Sequence, residues 1–308
     1  MGNFIPSQSV LRGFLFRGKM HYRIGFIGAG TVGTALAVLL SRKGYNFIGA
    51  SRLSRKRTGI KDSIVSNFHL LDNNQEVADT SDIVFITTPD GVISDIAREV
   101  KWRAGQYVVH CSGADSTDIL EPARKAGAMV GGFHPLQTFA GIKEAIENIP
   151  GSTFAIEAEE PLKTILKELA TAMSGECIEL TASDKAAYHA AAVFSCNYLV
   201  TLVKMATDLW QTFSVTPDRA VKALLPLIRG TLHNIETIGI PNCLTGPIAR
   251  GDTGTIEKHI KTLEEKSPGL LSAYKELGRQ TIPIALAKGK ISEEQAGELE
   301  AILSGNRV

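Results

Sequence analysis

A glycine-rich turn constrains the fold of this chain more than any other feature of the sequence. Gly28, Gly30 and Gly33 follow a short apolar run, and the segment Thr34 to Ser41 has the composition of a helix. This spacing allows a tight turn, a close approach of the backbone to a pyrophosphate, and a helix N-terminus that faces the anion. We therefore predict a dinucleotide site formed by Gly28, Ala29, Gly30, Thr31, Val32 and Gly33.

The residues after the next apolar run, Asn46 to Ala50, predict which dinucleotide binds. Many NAD enzymes place an acid here for the ribose hydroxyls, whereas this chain has Ser51, Arg52 and Arg55 and no acid before Asp62. Ser51 can hydrogen-bond a 2′-phosphate and Arg52 can pair with it. The expected cofactor is NADP, with NADPH preferred over NADH; the alternative is a solvated basic loop.

Further apolar runs alternate with helical patterns as far as residue 180, and only helical patterns follow. This order predicts an α/β fold: a Rossmann-type, doubly wound, mostly parallel sheet, then an all-α C-terminal domain. We expect a disordered leader over residues 1–22, because it is basic and has no acid, a dinucleotide-binding domain over 23–182 and a helical substrate and dimerisation domain over 183–308. One long helix is expected from Asp184 to about Phe213, and Pro217, Pro268 and Ser292 are expected to begin later helices.

Composition restricts the partners. The formal net charge is +1 and 44% of residues are hydrophobic, so no nucleic-acid partner is indicated. The N-terminal apolar stretch is too short to span a membrane. The four cysteines lie far apart, without the spacing of a metal site, so we expect no metal and a cytoplasmic location.

Candidate catalytic groups follow successive strands. Ser112 lies in a segment after one predicted strand and His134 in a segment after the next, so both are expected at carboxyl ends of the sheet. They could hydrogen-bond as a proton-handling pair, in which histidine acts as a base near neutral pH. Thr88 and Pro89, after an earlier strand, are expected to meet the nicotinamide ribose, although Pro89 could simply end the strand.

Two resemblances extend these predictions. The glycine loop, Cys111-Ser112-Gly113 and the Gly-x-His-Pro segment resemble prephenate dehydrogenases, which implies that Ser112 and His134 address a substrate hydroxyl. This resemblance covers only the nucleotide-binding half, and His-Pro-Leu-Gln departs from the family's usual continuation.

Nearly everything from Arg23 resembles a broader group of Rossmann-like oxidoreductases with an all-helical tail, related to pyrroline-carboxylate and ketopantoate reductases and arranged like 6-phosphogluconate dehydrogenase. The motifs are the glycine loop, Phe133 to Gln137, Tyr188-His189 with Asn197, and Leu244 to Asp252. This resemblance implies a dehydrogenase or reductase that acts on a small molecule. It also implies a homodimer whose subunits exchange helices. Further site residues that it suggests are Gln137, His189, Asn197, Thr245, Arg250 and Asp252.

The tail residues also have ordinary structural interpretations. On one continuous helix His189 and Asn197 would differ by roughly 80° around the axis and border one cleft, or each could satisfy a neighbour's hydrogen bond. Arg250 could clamp a substrate carboxylate or form a surface salt bridge. Asp252 could simply cap a helix.

The expected function is an NADP-dependent oxidoreductase that transfers a hydride between the nicotinamide and a small carboxylic acid bearing a carbonyl, hydroxyl or imine. Two alternatives are a prephenate- or arogenate-type dehydrogenase and an NADP-binding sensor without catalysis, since a Rossmann domain alone does not imply chemistry.

Overall fold

The computed structural model describes residues 22–51 and 69–305. The predicted leader up to residue 21, and the cofactor residues Arg52 and Arg55, lie outside the described residues. The chain divides into two compact units, Met1–Cys196 and Asn197–Val308, so the division falls later than the predicted boundary between residues 182 and 183. The reason is that Lys185 and Tyr188, on the first helix after that boundary, form hydrogen bonds within the first unit.

The first unit contains a seven-stranded sheet. Its strands are β1 (Arg23–Ile27), β2 (Asn46–Ser51), β3 (Ile83–Ile86), β4 (Tyr107–His110), β5 (Met129–Pro135), β6 (Thr153–Ala158) and β7 (Glu176–Glu179). The spatial order is β2-β1-β3-β4-β5-β6-β7. The first five run parallel, β6 is antiparallel to β5, and β7 is parallel to β6. The predicted α/β fold with a mostly parallel sheet is confirmed.

In the described residues of the first unit, seven α-helices pack around this sheet or follow it: α1 (Thr31–Arg42), α2 (Asn74–Thr80), α3 (Asp90–Glu99), α4 (Glu121–Lys125), α5 (Ile142–Asn148), α6 (Leu162–Ala172) and α7 (Lys185–Ser195). Because strand side chains alternate between faces, the sheet has two apolar cores. One contains Phe26, Phe85, Phe133 and Phe154, whose rings stack in two pairs at 5.2 and 4.7 Å. Each fully buried ring stabilises the fold by roughly 1.5–3 kcal/mol.

Strand register brings the candidate residues to one edge of the sheet. Ile86 pairs with His110, and His110 pairs with Gly132, so β3, β4 and β5 reach this edge side by side. The prediction places His134 after β5. In the structure His134 lies within β5 and pairs with Ala155 of β6. The antiparallel pairing extends β5 beyond the parallel part of the sheet.

The second unit is helical: α8 (Asn197–Gln211), α9 (Pro217–Ile238), α10 (Thr253–Lys266), α11 (Leu271–Ala287) and α12 (Glu293–Ser304). Pro217 and Ser292 mark helix starts as predicted; Ser292 forms a capping box with Gln295. The long helix predicted from Asp184 to about Phe213 is present as the helical stretch Lys185–Gln211, but it is interrupted at Cys196, where φ is −117° and ψ is −67°. The apolar core of this unit comes from α10 to α12, whereas α8 buries only Thr207 and α9 only Ala220.

Within the described part of the chain, the helical stretch Lys185–Gln211 has the length and mean hydropathy, 1.3, of a membrane span. Length and composition are the only basis for that similarity, and core helices of soluble proteins meet the same criteria.

Candidate active site

The glycine loop between β1 and α1 has the predicted tight turn. Gly28 adopts φ +109°, a conformation that side chains other than glycine rarely tolerate. The N–H groups of Gly28 and Ala29 donate to the Ser51 carbonyl oxygen at 3.1 and 2.9 Å. A Cβ at Gly33 would lie only 2.4 Å from the Gly28 oxygen, so α1 packs directly on the turn.

The same loop leaves an opening at the start of α1. A Cβ at Gly30 would have no atom within 4 Å, and no side chain caps the helix. The first hydrogen bond of the helix runs from the Thr34 N–H to the Gly30 oxygen. The N–H groups of Thr31, Val32 and Gly33 come earlier, so they have no acceptor within the helix. These donors and the open space fit the pyrophosphate of a dinucleotide.

Two predicted cofactor contacts differ from expectation. Ser51 is 1% exposed and its hydroxyl donates to Asn74 Oδ1 at 2.6 Å, so its side chain is not free to bind a 2′-phosphate. Thr88 is also buried. Pro89 is exposed and precedes α3, which agrees with the alternative that this proline simply ends the strand segment. Thr87 is the residue that bonds the loop, because its hydroxyl donates to the Gly28 oxygen at 2.7 Å.

The turn after β4 is held by Ser112. Its hydroxyl donates to Asp115 Oδ2 at 3.0 Å and accepts from the Asp115 N–H at 3.0 Å. Its own N–H donates to His110 Nδ1 at 3.1 Å. The predicted hydrogen bond between Ser112 and His134 is therefore wrong: the short Ser112 side chain is committed to its own turn.

A buried lysine that sequence reasoning missed contacts this turn. Lys185 at the start of α7 is 1% exposed, and its Nζ donates to the Ser112 carbonyl oxygen at 2.9 Å. Burial lowers its pKa, and the negative charge of Glu157 is the largest effect that opposes this. A charged group inside a protein costs free energy unless it is paired, so buried lysines often mark functional sites.

His134 is bonded to the same helix. Its Nδ1 and the Tyr188 hydroxyl lie 2.7 Å apart, with the rings nearly perpendicular at 87°. Burial, with the charges of Lys185 and His189, lowers the pKa of His134 to about 4, and burial raises the pKa of Tyr188 to about 12. At neutral pH both groups are uncharged. The lowered pKa of His134 differs from the prediction of a base that titrates near neutral pH, because burial and the nearby charge of Lys185 disfavour the imidazolium.

Two imidazoles converge over Gly113. A Cβ on this residue would lie 2.9 Å from His134 Nε2 and 2.7 Å from His189 Cδ2. The two rings lie 6.3 Å apart between centroids. Lys185, Tyr188 and His189 share one end of α7, which brings a cation, a phenol and an imidazole to the carboxyl ends of β4 and β5.

A cavity of about 420 Å³ lies next to the turn that follows β4. It is lined by Asp90, Gly91, Ser94, Ala114, Asp115 and Ile119. A larger cavity of about 590 Å³ lies along β5 to β7, away from the two histidines. The smaller cavity is the better candidate, because it joins the N-terminus of α3 to the Ser112 turn.

Gln137 has a structural environment. Its Nε2 donates to the Asn148 oxygen at 3.1 Å and to Ser152 Oγ at 3.3 Å, and its Oε1 accepts from the Thr138 N–H at 2.8 Å. These bonds fix the segment after β5 and occupy the groups that were predicted to bind substrate.

The predicted residues of the second unit lie in two places. Asn197 is exposed at the start of α8, beyond the break at Cys196, so the angle calculated for one continuous helix does not apply. Asp252 caps α10 by accepting from Thr255 N–H at 3.0 Å, as the capping alternative expects. Arg250 is exposed and lies 3.9 Å from Asp252, an ordinary surface ion pair, and Thr245 is exposed in the same loop.

Comparison with known proteins agrees with this architecture. A Rossmann-like domain matches residues 17–135, and the family described as "Domain of unknown function (DUF2520)" matches residues 152–281. The chain therefore carries a Rossmann-like domain followed by a DUF2520 domain. No curated protein matches the sequence.

Solved structures share the fold over most of the chain. A proposed NADP oxidoreductase from Bacteroides fragilis is 23% identical, with a TM-score of 0.70 over 85% of this chain and 98% of its own. A protein from Thermotoga maritima is 24% identical, with a TM-score of 0.67 over 86% and 99%. A pyrroline carboxylate reductase from Plasmodium falciparum, with NADP bound, is 15% identical, with a TM-score of 0.56 over 92% and 98%. At these identities the likeness establishes the fold.

Proposed function

We propose that this protein is an NADP-dependent oxidoreductase that transfers a hydride between the nicotinamide and a small carboxylic acid bearing a carbonyl, hydroxyl or imine. The main support for this proposal is that two features lie at the same edge of the sheet. The open glycine loop follows β1, and Lys185 and Tyr188 of α7 contact Ser112 after β4 and His134 at the end of β5. The reductases among the structural neighbours support it by analogy of fold.

The cofactor fits the loop at the N–H groups of Thr31, Val32 and Gly33. When bound, it supplies or accepts the hydride, and the protein's own groups must handle the accompanying proton. NADP is favoured over NAD by Arg52 and Arg55 in the sequence, since Ser51 is committed to Asn74. Arginine pairs with a 2′-phosphate in bidentate fashion.

In this proposal Lys185 provides the positive charge of the site and the proton. In the reducing direction negative charge develops on the substrate oxygen or nitrogen, and the buried ammonium of Lys185 stabilises it. Neutral His134 donates a hydrogen bond to the same atom. His189 lines the site beside Gly113.

The first test is direct. NADPH should bind the full chain at least about tenfold more tightly than NADH, because one bidentate arginine pair contributes 1.5–3 kcal/mol. Exchange of Arg52 for Glu should remove the preference and leave NADH affinity nearly unchanged. Equal affinities in the wild type would rule out the NADP assignment.

Turnover should be measured with NADPH and a panel of oxo acids and cyclic imino acids, and with NADP and prephenate or arogenate. We expect reduction of at least one oxo or imino acid, with a rate roughly 10²-fold lower in His134→Ala and unchanged NADPH affinity. Oxidation of prephenate alone would favour the dehydrogenase alternative. Tight NADPH binding without turnover of any compound would favour the sensor.

We also propose that a second copy of this chain covers α8 and α9. Large apolar side chains on these helices are exposed, among them Val200 at 69%, Leu227 at 67% and Ile238 at 54%. In α9, residues Val221, Leu225, Ile228, Leu232 and Ile235 follow the 4-3-4-3 spacing of a helix–helix seam. The same helix carries Asp218, Arg219, Lys222, Arg229 and Glu236, charges that disfavour a lipid environment.

The oligomeric state tests this assignment. Light scattering after gel filtration should give twice the chain mass of 33.1 kDa. The double variant Leu232→Glu, Ile235→Glu should give the single-chain mass, whereas Leu277→Glu, an exposed leucine on α11, should not. A wild-type protein that stays monomeric at every concentration contradicts the proposal.

A further inference from the structure

The hydrogen bond between His134 and Tyr188 determines which nitrogen of the imidazole carries the proton. Nδ1 and the phenol oxygen are 2.7 Å apart, so one of them donates to the other. A phenol O–H is a stronger acid than the N–H of a neutral imidazole, and an imidazole nitrogen is a stronger base than a phenol oxygen. Because burial keeps both groups neutral, the bond runs from the Tyr188 hydroxyl to His134 Nδ1.

A neutral imidazole has one donor and one acceptor, so a bond accepted at Nδ1 leaves the proton on Nε2. This nitrogen faces Gly113, where a Cβ would lie only 2.9 Å away. Glycine places no side chain there, and the Nε2–H edge is left clear. The turn that follows β4 and the helix that carries Tyr188 therefore act on opposite edges of one ring.

We infer that Tyr188 is a positioning residue that holds His134 as the Nε2–H tautomer, ready to donate a hydrogen bond to the oxygen or nitrogen at the reacting centre of the substrate. This inference rests on the proposed function for the identity of the acceptor, whereas the tautomer can be observed without turnover. The site thus offers the substrate a neutral donor from His134 and a cationic donor from Lys185, with separate roles.

Nitrogen-15 NMR of the full chain with labelled histidine measures the tautomer. The His134 signals are assigned by their loss in His134→Gln. We expect an unprotonated Nδ1 and a protonated Nε2 that do not change between about pH 5.5 and 8. In Tyr188→Phe the His134 shifts should move toward a mixture of the two tautomers. The control Tyr274→Phe removes the equivalent bond to His259, 2.8 Å long, and should leave the His134 signals in place.

Activity provides a second measurement. Tyr188→Phe should lower kcat about tenfold and leave KM within about twofold, the effect of losing an interaction that acts mainly in the transition state. A wild-type His134 with its proton on Nδ1 would overturn the inference, as would an unchanged tautomer in Tyr188→Phe. If no variant turns over any substrate but the tautomer behaves as expected, the proposed function fails and the positioning by Tyr188 stands.

Discussion

Each unit contains a histidine hydrogen-bonded to a tyrosine and a lysine that donates to a backbone carbonyl, but the surroundings of these groups differ. In the first, the His134–Tyr188 pair is partly buried, and the bond from Lys185 to Ser112 O is fully buried. In the second, His259 Nδ1 lies 2.8 Å from the Tyr274 hydroxyl, and Lys288 donates to Leu244 O at 2.6 Å. There His259 is exposed and Lys288 is only partly buried. A hydrogen-bond pattern alone therefore does not define a site; the burial of Lys185 and the convergence of Lys185, His134 and His189 at the turn after β4 do.

The largest expected effect is a difference in kcat between variants of the two lysines, Lys185 and Lys288. Lys185→Met should lower kcat by roughly 10²-fold or more, because it removes the buried positive charge from the proposed reacting centre. Lys288→Met also removes a lysine bonded to a backbone carbonyl, yet it should change kcat by less than about twofold. Steady-state kinetics with a compound found in the turnover panel make the comparison. A similar loss in both variants would mean that Lys185 acts by supporting the fold.

A smaller effect separates two glycines. Gly113→Ala should lower kcat about tenfold, because the new Cβ pushes against His134 and His189 and displaces both rings. Stability should change little, since the contacts are with the ends of side chains. Gly297 on α12 has no atom within 4 Å of its Cβ position. Gly297→Ala should leave kcat unchanged and stabilise the chain by about 0.5–1 kcal/mol. Full activity in Gly113→Ala would contradict the proposed placement of His134.

The smallest effect concerns pH. His134 has its pKa lowered to about 4 and His110 to about 3, both mainly by burial. Between the unfolded value of about 6.5 and these values, the unfolded chain binds more protons than the folded chain. The contribution of these two histidines to the free energy of unfolding is therefore fully present above about pH 6.5. It decreases as the pH falls through this window.

We expect His134→Gln to reduce the stability lost between about pH 7 and 5 by on the order of 1 kcal/mol. The measurement is urea unfolding followed by the fluorescence of Trp102 in a Trp210→Phe background, so that the signal comes from the first unit. A pH dependence that His134→Gln does not alter would contradict the lowered pKa of this residue.

The sequence predicted the features that depend on local patterns. The apolar runs, the glycine spacing and the helix starts at Pro217 and Ser292 depend on neighbouring residues, and the structure agrees with them. The interruption at Cys196 was missed, because the mostly apolar composition continues through it without a proline or glycine.

The site was less predictable because its contacts are long-range. Ser112 and His134 occupy the predicted edge, but their partners are Asp115 and Tyr188, and spacing along the chain does not predict which side chains pair. Lys185 did leave a signal that was overlooked. It is the only charged residue between Asp184 and Lys204, in a stretch otherwise apolar enough to be buried. Ser51 shows the opposite error, since a hydroxyl suited to phosphate is used inside the fold.

Transfer of an isotope tests the central claim most directly. The full chain would be incubated with NADPH deuterated at the transferable position and with each oxo or imino acid of the panel, and the products would be examined by mass spectrometry. The account predicts one deuterium on the reduced carbon of at least one product, with the wild type and Lys288→Met alike and with Lys185→Met at roughly a hundredth of that rate or below. Tight NADPH binding without deuterium in any product, or equal transfer in the two lysine variants, would contradict it.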